Sequence, residues 1–451
     1  MVYNGAGPAQ YRKIHEKYGP IVRVGPNEVS VADPTMIPRI YGIGSKFTKT
    51  PFYTSMAPIY QGEVMDSLFT TRDPAHHKFL KSSVSQIFSM TNMKNFEIFA
   101  DECTRIFMDA MLDLEGEPLD FSKWLQWYAF DVIGSLTFQR RFGFLEQRTD
   151  VDGMIGKIDI GLQYVKVLGQ FPSLIPFLQT ISMSRPIQKL NIFPDTMDKF
   201  LKITEEEIKT YDNNNGTEKA QRTDFLAQLR AVESSRKLSH RDMMNHLSNN
   251  LLAGSDTTAI SLRAMFYYIV KNPRVYRKIQ SEIDEADQKG LLSEFVTYEE
   301  CLKLPYLQAT MKEAMRLHPG VGFPLERFVP PEGAEICGYA LPGGTNVSIS
   351  APVIHVLKEI YGEDAESFRP ERWLEATPEA LKAMDRAFLA FGHGARTCIG
   401  KNISIMEMGK FVPQMFRHFN ITWASQRPEW ETHAAWFWKQ SGLILRLEKR
   451  K

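Results

Sequence analysis

FGHGARTCIG, residues 391–400, is the stretch of this sequence that decides its fold. It sets a single cysteine, Cys398, among three glycines and one arginine. An isolated cysteine is usually a small buried hydrophobe, and its thiolate form needs hydrogen-bond donors, positive charge or a metal. Gly392, Gly394 and Gly400 would let backbone N–H groups approach the sulfur. The loop therefore predicts a thiolate that acts as a ligand.

A cysteine thiolate is one of the axial ligands of haem iron, where it donates electron density that favours O–O cleavage. Arg396, two residues before Cys398, would stand beside the anionic ligand as a cation. The structural alternative is an inert buried cysteine after a tight turn. Glycines, cation and cysteine together favour the metal ligand.

The composition excludes several classes of protein. The chain has 451 residues, 43% of them apolar, and a net charge of +1, which provides no basic face for nucleic acid. Four widely spaced cysteines without a C-x-x-C pair indicate neither a disulfide scaffold nor a structural zinc site, which is typical of a reducing compartment. No shift in composition marks a domain boundary, so we expect a single large domain over residues 1–451.

Targeting segments are not evident at the start of the chain. Residues 1–25 contain neither an apolar signal segment nor a span of about 20 apolar residues. The most lipophilic stretch, residues 158–181, is interrupted by Asp159, Lys166 and two prolines. No segment is predicted to cross a bilayer, although residues 158–181 are expected to touch a membrane surface.

Hydrophobic periodicity predicts a mainly α protein with a small β portion. One helix stands out, because residues 241–271 would extend for about 45 Å, enough to cross the core. The predicted elements are, in chain order, a hairpin at 21–31, a strand near 47, helices between 74 and 140, an exposed loop at 211–224, the helix at 241–271, helices at 274–287 and up to 318, short strands at 328–350, a helix at 401–418 and closing strands.

AGSDTT, residues 253–258, lies in the middle of the long helix. Glycine and hydroxyl residues are ordinary causes of a helix kink, which is the structural explanation. The functional explanation is that Thr257 turns its hydroxyl back to the carbonyl of Ala253 and creates a polar pocket. Asp256 and Thr257 would then relay protons to a bound small molecule.

A third motif predicts a buried ion network. Glu313 and Arg316 lie three residues apart on one helical face, a pattern that usually decorates a solvated surface. Arg372 follows in FRPERW and can share the same carboxylate. We interpret this triad as a structural network that holds the segment leading into the cysteine loop.

Together, F-G-x-G-x-R-x-C-x-G, E-x-x-R, P-E-R-W and A-G-x-D-T-T resemble the cytochrome P-450 family of haem-thiolate monooxygenases. The match covers residues 11–450 and is similar to fungal microsomal members such as the pisatin demethylase-like group. This resemblance implies the cytochrome P-450 fold, with haem b between the long central helix and the cysteine loop.

The resemblance also assigns roles to single positions. Cys398 corresponds to the iron ligand and Phe391 to the aromatic residue that shields its sulfur, while Asp256 and Thr257 match the proton-delivering pair. Buried haem propionates need cationic partners. The expected partners are Arg396, Arg327, His77 and Lys81. Lys81 departs from the arginine that is frequent there and lacks its bidentate fork. His77 and Lys81 have a solvated helix surface as their alternative.

The resemblance further implies a substrate wall and an electron donor. Expected wall residues are Asn250, Ala253, Val321, Phe323 and Leu325, with the tip at 430–435 and the segment 161–180. Electrons would come from NADPH through cytochrome P-450 reductase, docked by opposite charge near Lys401, Lys410 and Arg417, which otherwise form a solvated face. Microsomal relatives imply the cytosolic face of the endoplasmic reticulum membrane, and this chain starts where their membrane helix would have ended.

Three functions remain open at this point. The first is a monooxygenase that inserts one atom of O2 into a lipophilic small molecule, in secondary metabolism or detoxification. The second is a haem-thiolate isomerase or dehydratase that needs no external electrons; it is disfavoured because such enzymes often lack the alcohol at Thr257. The third is a non-enzymatic haem-binding or interaction protein, which would leave the three motifs without a common explanation.

Overall fold

Helices make up most of the computed structural model, which describes residues 4–171, 173–178, 197–214 and 216–451. The α-helices are α1 Gly7–Tyr18, α2 Met36–Tyr41, α3 Pro74–Val84, α4 Met90–Met93, α5 Glu97–Asp113, α6 Phe121–Phe138, α7 Phe144–Gln147, α8 Met154–Leu168, α9 Ile175–Leu178, α10 Asp198–Asn213, α11 Gly216–Gln221, α12 Phe225–Arg236, α13 His240–Lys271, α14 Pro273–Gln288, α15 Tyr298–Cys301, α16 Pro305–Leu317, α17 Ala351–Ile354, α18 Lys358–Tyr361, α19 Arg372–Glu375, α20 Pro378–Ala387 and α21 Lys401–His418.

The strands are short and form small sheets beside the helices. They are β1 Ile21–Gly25, β2 Glu28–Val31, β3 Thr48–Lys49, β4 Ile59–Tyr60, β5 Glu63–Val64, β6 Pro118–Asp120, β7 Leu325–Phe328, β8 Ala334–Ile336, β9 Tyr339–Leu341, β10 Asn346–Ile349, β11 Phe419–Trp423, β12 Glu431–Ala434, β13 Trp438–Ser441 and β14 Ile444–Lys449. The largest sheet has the order β1-β2-β10-β7-β3. At its edge, β3 runs antiparallel to β7 and Lys49 lies opposite Arg327.

The long helix α13 organises the core. A capping box starts it, because the Ser239 hydroxyl accepts the N–H of Asp242 while the Asp242 carboxylate accepts the N–H of Ser239. It ends before Pro273, which disfavours helix at the preceding residue. Gly254 allows α6 to pack closely, since a Cβ there would lie 2.7 Å from Ile133 Cδ1.

Aromatic side chains fill the space between α13 and the final helix α21. The rings of Phe121 and Phe266 have centroids 4.9 Å apart, as do those of Phe107 and Phe411. Phe266 also stacks on Phe416. Pairs of this kind add to the hydrophobic stabilisation from burial. The result is a large helical core that holds α13 and the start of α21 in a defined relation.

Most predicted elements are confirmed, including the hairpin, the long helix and the helix at 401–418. The exposed loop predicted at 211–224 is wrong in part. Helix α10 continues to Asn213 and α11 occupies Gly216–Gln221, so a second short helix interrupts the turn-forming residues. Among the described residues, no helix has the length and apolar character needed to span a membrane.

Candidate functional site

A cavity of about 580 Å³ lies between α13 and the cysteine loop. Helix α13 contributes Ala253 and Thr257 to its wall, and the loop contributes Phe391 and Cys398. The accessible surface of Cys398 faces this cavity, while protein surrounds the rest of the side chain. No aspartate or glutamate is among its described lining residues. The cavity is therefore mostly apolar and has no acidic side chain among these residues, with a sulfur on one wall and a hydroxyl on the other.

Backbone hydrogen bonds determine the position of Cys398. Its own N–H donates to the Phe391 carbonyl at 2.8 Å and closes the loop. Burial raises the pKa of the Cys398 thiol, and the backbone N–H groups of Gly400 and Lys401 oppose this rise. Both groups lie at the start of α21, where unpaired N–H donors favour an anion. The prediction that backbone donors reach the sulfur holds for Gly400.

The other two loop glycines act differently from the prediction. Gly392 and Gly394 have φ values of +70° and +64°, which favour glycine. A Cβ on Gly394 would lie 2.0 Å from the carbonyl oxygen of Tyr41. These glycines shape the turn and allow α2 to approach it, whereas the N–H donors to the sulfur come from Gly400 and the residue after it.

Arg396, which the sequence predicts beside the sulfur, lines the same cavity as Cys398 and has a backbone carbonyl as a partner. Its Nη1 donates to the Thr71 carbonyl at 2.9 Å, and the charge of Arg327 helps lower its pKa after burial, to about 10. The cations that lower the pKa of the Cys398 thiol are Lys81 and Lys401. Arg396 therefore belongs to a group of cations at one end of the cavity. The sequence also predicts Arg396 as a partner of a haem propionate, and such a partner would lie among these cations.

This cationic group contains more residues than the sequence indicated. Arg327 and Lys49 are 6% and 5% exposed, and no ion pair among the described residues includes either of them or Arg396. Burial, followed by the charges of Arg396 and Lys81, lowers the pKa of His77 to about 3, so His77 is neutral at pH 7. Its Nε2 is buried without a hydrogen-bond partner.

Lys81 completes this end of the site. Its Nζ donates to the carbonyl of Ala395 at 2.8 Å, which ties α3 to the cysteine loop. Burial and the charge of Arg396 lower its pKa. Buried cations without acidic partners and an unpaired imidazole nitrogen match what the two carboxylates of haem require. The residues present therefore fit haem, with its propionates at this end and its iron near Cys398.

The two members of the predicted proton pair face different surroundings. Thr257 lines the cavity and its hydroxyl donates to the Ala253 carbonyl at 2.8 Å, as predicted. Asp256 is 1% exposed and does not line the cavity. One carboxylate oxygen accepts a hydrogen bond from Gln126 on α6, and the other lies 2.9 Å from Lys439 Nζ on β13. Only the alcohol of the pair contacts the cavity directly.

The predicted ion network is present and fully buried. Arg316 makes two hydrogen bonds to the Glu313 carboxylate, at 2.7 and 2.8 Å, and Arg372 Nε donates to the same carboxylate at 3.1 Å. Trp373 Nε1 adds a donor at 2.9 Å. The backbone N–H of Arg369 also donates, at 3.1 Å, and these five donors on one carboxylate offset its desolvation. The network joins α16 to α19 ahead of the cysteine loop.

The predicted substrate residues all line the cavity: Asn250, Ala253, Val321, Phe323 and Leu325. The C-terminal tip is corrected. Trp430 stacks on Tyr267 with ring centroids 3.8 Å apart, and it is Trp436 and Phe437 that reach the cavity. The turn between β12 and β13 carries these two aromatic residues into the cavity wall, a direction that composition alone did not indicate.

The segment 161–180 divides into a lining part and an exposed part. Its lining residues are Gly161, Leu162, Val165, Leu168 and Ile175. Phe171 and Phe177 are 56% and 58% exposed and contribute to the outer surface. Residues 172 and 179–181 lie outside the described residues.

The predicted docking patch is largely wrong. Lys410 is 3% exposed, and its Nζ lies 2.9 Å from Glu97 and 3.0 Å from Asp101. Arg417 is neutralised by Asp287, to which its Nε donates at 3.1 Å. Only Lys401 is exposed. The face of α21 that carries Lys410 and Arg417 packs against α5 and the segment after α14. The charges of these two residues therefore stabilise the fold.

The match to known proteins agrees with this site. The family model for cytochrome P-450 covers residues 2–445. A cytochrome P-450 monooxygenase of Aspergillus terreus is 38% identical over 91% of this chain and 84% of its own length. The monooxygenase cicH of Emericella nidulans is 34% identical over 100% of this chain and 90% of its own length. The monooxygenase gsfF of Penicillium aethiopicum is 36% identical over 97% of this chain and 88% of its own length.

The helical fold, the thiol beneath a buried cavity and the unpaired cations define a haem-thiolate protein. The chain belongs to the cytochrome P-450 family. It is an oxidoreductase, a haem monooxygenase that uses O2, a small-molecule substrate and a redox partner. The isomerase, dehydratase and non-enzymatic alternatives are not favoured, because the similar proteins named above are monooxygenases.

Proposed function

We propose that this chain, as one catalytic domain over residues 1–451, hydroxylates a lipophilic small molecule of fungal secondary metabolism or detoxification. Two electrons and two protons would be consumed with each O2, so that one oxygen atom enters the substrate and the other leaves as water. Haem supplies the binding and activation of O2. The observation that carries the proposal is the apolar cavity bounded by Cys398 on one side and Thr257 on the other.

Cys398 would hold the haem iron through its thiolate, with Gly400 and Lys401 donating N–H groups to the sulfur and Phe391, whose carbonyl accepts the N–H of Cys398, shielding it. Arg327, Arg396, His77 and Lys81 would hold the propionates. The unpaired Nε2 of His77 and the lack of ion pairs at the two arginines among the described residues support these roles.

Proton delivery is assigned to Thr257 and Asp256 in sequence. Thr257 holds its hydroxyl at the cavity wall, and Asp256 lies behind it with Lys439 on its solvent side. Lys439 is 18% exposed, so this acid is one residue away from solvent. Asp256→Asn and Thr257→Ala should each slow turnover by about 10²-fold or more, because a positioned proton donor contributes that much. Thr257→Ser, which keeps the hydroxyl, should retain most of the rate.

The first test of the proposal is spectroscopic. The reduced chain with carbon monoxide should show a strongly red-shifted Soret band, and Cys398→Ser should lose it while still binding haem. A band that survives in the serine variant would overturn the ligand assignment. A parent chain that binds haem, shows the band and yet oxidises no lipophilic compound with a reductase present would contradict monooxygenation.

NADPH, through a cytochrome P-450 reductase, is the proposed electron source. Lys401 and the exposed Lys78 of α3 are candidates for docking its acidic surface, because Lys81 Nζ holds α3 beside the cysteine loop and the Asn402–Phe88 hydrogen bond holds the segment after α3 against α21. Lys78→Glu should slow reduction by the reductase and leave reduction by dithionite unchanged. Lys17→Glu on α1 is the matched control. Equal effects of the two variants would refute this face.

The cytosolic face of the endoplasmic reticulum membrane is the proposed location of the native protein. Its support is a run of exposed apolar side chains around α8 and α9, namely Ile160, Val167, Phe171, Leu174 and Phe177. Apolar groups of this kind bind at the headgroup boundary of a bilayer. Liposome flotation should carry the chain upward, and Phe171→Ser with Leu174→Ser should reduce the floating fraction. A chain that stays at the bottom in both forms contradicts the proposal.

A further inference from the structure

Lys49 is a buried cation that the reaction described above does not use. Its side chain lines the cavity and is 5% exposed. Its Nζ donates to the Phe69 carbonyl and lies 4.0 and 4.1 Å from the ring centroids of Tyr53 and Phe69. An ammonium group has three N–H donors, so this carbonyl leaves two of them for another acceptor.

The register of the sheet places a second cation directly beside it. Lys49 on β3 is the cross-strand partner of Arg327 on β7, and both side chains line the same cavity. Like charges directly opposite each other are destabilising. Glu326 offsets this only in part, because burial raises its pKa to about 7 and its carboxylate forms no ion pair with either cation, while it accepts hydrogen bonds from Thr50 and Asn346. Such a pair needs an anion from outside the chain.

Charge accounting points the same way. Lys49, Arg327 and Arg396 are three cations at one end of the cavity, and no ion pair among the described residues neutralises them. Burial and the two guanidinium groups lower the pKa of Lys49 well below its usual range. Haem brings only two carboxylates. A carboxylate beside Lys49 would favour its charged form, and it would be either a haem carboxylate shared with an arginine or one carried by another bound molecule.

We propose that Lys49 is an anion-binding residue of this cavity, whose ammonium group binds a carboxylate carried by a bound molecule. The carboxylate belongs either to a haem propionate or to an acidic substrate, and both present the same chemistry to Nζ. Aromatic rings on two sides of the ammonium group hold it in place while excluding water. The inference rests on the haem-binding part of the proposed function, and it adds a residue that the family resemblance did not supply.

The test compares Lys49→Met, which keeps the apolar stem, with Lys49→Arg, which keeps the charge. Lys46→Met is the matched control, because Lys46 lies three residues away with its side chain 76% exposed. In the first arm, the rate of haem loss to a haem-scavenging apoprotein is measured for haem and for haem dimethyl ester. If Lys49 holds a propionate, Lys49→Met should lose haem roughly ten- to hundredfold faster than the parent. With haem dimethyl ester, which has no free carboxylate, Lys49→Met and Lys49→Arg should lose the ester at the same rate.

The second arm uses 4-phenylbutyrate and its neutral amide as probes, followed by calorimetry and by the Soret shift. If Lys49 holds a substrate carboxylate, Lys49→Met should weaken the acid roughly ten- to hundredfold and leave the amide unchanged. Lys49→Arg should stay close to the parent in both arms. Unchanged haem loss together with unchanged binding of the acid in Lys49→Met would overturn the inference.

Neither arm depends on turnover, so failure of the inference is distinct from failure of the proposed monooxygenation. A chain that oxidises nothing still reports its rate of haem loss. A chain that binds no haem still reports the calorimetric affinity for 4-phenylbutyrate, which must then depend on Lys49 for the inference to stand.

Discussion

Asp256 and Thr257 are neighbours in the sequence, yet they face different parts of the molecule. Successive residues on a helix point about 100° apart, so one side chain reaches the cavity while the next packs against α6 and β13. The acid is therefore positioned by Gln126 and Lys439 and not by the cavity itself. Proton transfer through this pair requires either rotation of Asp256 or a path through the Thr257 hydroxyl.

The cysteine loop offers a test of glycine at the residue scale. Gly394 and Gly392 both have positive φ. A Cβ on residue 394 would lie 2.0 Å from the Tyr41 carbonyl oxygen, whereas a Cβ on residue 392 would have its nearest neighbouring atom at 3.7 Å. In the Gly394→Ala and Gly392→Ala variants, alanine must adopt a positive φ, which it disfavours relative to glycine. Gly394→Ala should cost about 2 kcal/mol more than Gly392→Ala in the free energy of unfolding by urea, because overpacking adds to strain. Equal costs would show that the loop relaxes away from Tyr41.

At the scale of elements, one lysine connects three of them. Lys439 on β13 pairs with Asp256 on α13 and with Asp159 on α8, and α8 itself lines the cavity through neighbouring residues. A pair in which one partner is buried is costly to break, because the remaining charge stays desolvated. The position of α8 and the environment of Asp256 therefore both depend on Lys439.

Lys439→Met should lower the free energy of unfolding by about 2–3 kcal/mol, somewhat less than a fully buried pair because Lys439 retains 18% exposure. Adding Asp256→Asn should recover part of the loss, since the uncompensated charge is then removed. Lys199→Met, which breaks the exposed pair with Asp152, should cost less than about 1 kcal/mol. A double variant no more stable than Lys439→Met would contradict the coupling of Lys439 to Asp256.

His355 connects the ion network to the cysteine loop. Its Nδ1 lies 2.8 Å from the Arg316 carbonyl, and its Nε2 accepts the N–H of Leu389 at 2.8 Å. This arrangement requires the neutral ring with its proton on Nδ1. Burial lowers the pKa of His355 to about 3, against about 6.5 in the unfolded chain.

Acid should therefore destabilise the fold through His355. Because the folded pKa is depressed, the contribution to stability is complete above about pH 6.5 and is lost progressively as pH falls toward 3. In urea unfolding between pH 7 and 4, His355→Asn, which can donate and accept but does not titrate, should show a shallower fall than the parent. Parallel curves for the two proteins would mean that His355 does not contribute to the acid response.

At the scale of the whole molecule, the charges around the cavity have one sign. Lys49, Arg327 and Arg396 lie at one end, and no acidic residue is among the lining residues that the structure describes. A low-dielectric cavity strengthens such a field. The molecule should therefore select against positively charged substrates.

A pair of aromatic probes that differ only in charge tests this selection. Haem-loaded protein should bind a neutral amide at least about tenfold more tightly than a quaternary ammonium analogue of the same size, because no aspartate or glutamate is among the described lining residues and the two haem carboxylates would already be held by the cations at one end. A quaternary ammonium group cannot coordinate the iron, so the Soret shift reports the pocket alone. Equal affinities for the amide and the quaternary ammonium analogue would contradict this selection. Lys49→Met should reduce the difference in affinity between the two probes.

Periodicity and local motifs determined much of this protein from the sequence alone. The helices at 241–271 and 401–418, the thiol loop and the Glu313–Arg316 pair depend on spacing along one helix or one turn, so short-range geometry is sufficient to predict them. The same holds for the hydrogen bond from Thr257 to Ala253, which spans one helical turn. Arg372 joins the Glu313–Arg316 pair from another helix and was predicted from the FRPERW motif. Haem ligation by Cys398 was likewise predicted from ten consecutive residues and the family they resemble.

Tertiary structure alone decided which charges face the cavity and which are neutralised. The sequence predicts Lys410 and Arg417 as part of a docking face, but α5 and α14 supply the carboxylates that pair with them. Lys49 carried no motif, and only the pairing of β3 with β7 brings it beside Arg327. The physical reason is that the energy of a charge depends on its burial and on partners far away in the chain, and neither is encoded in the residues next to it.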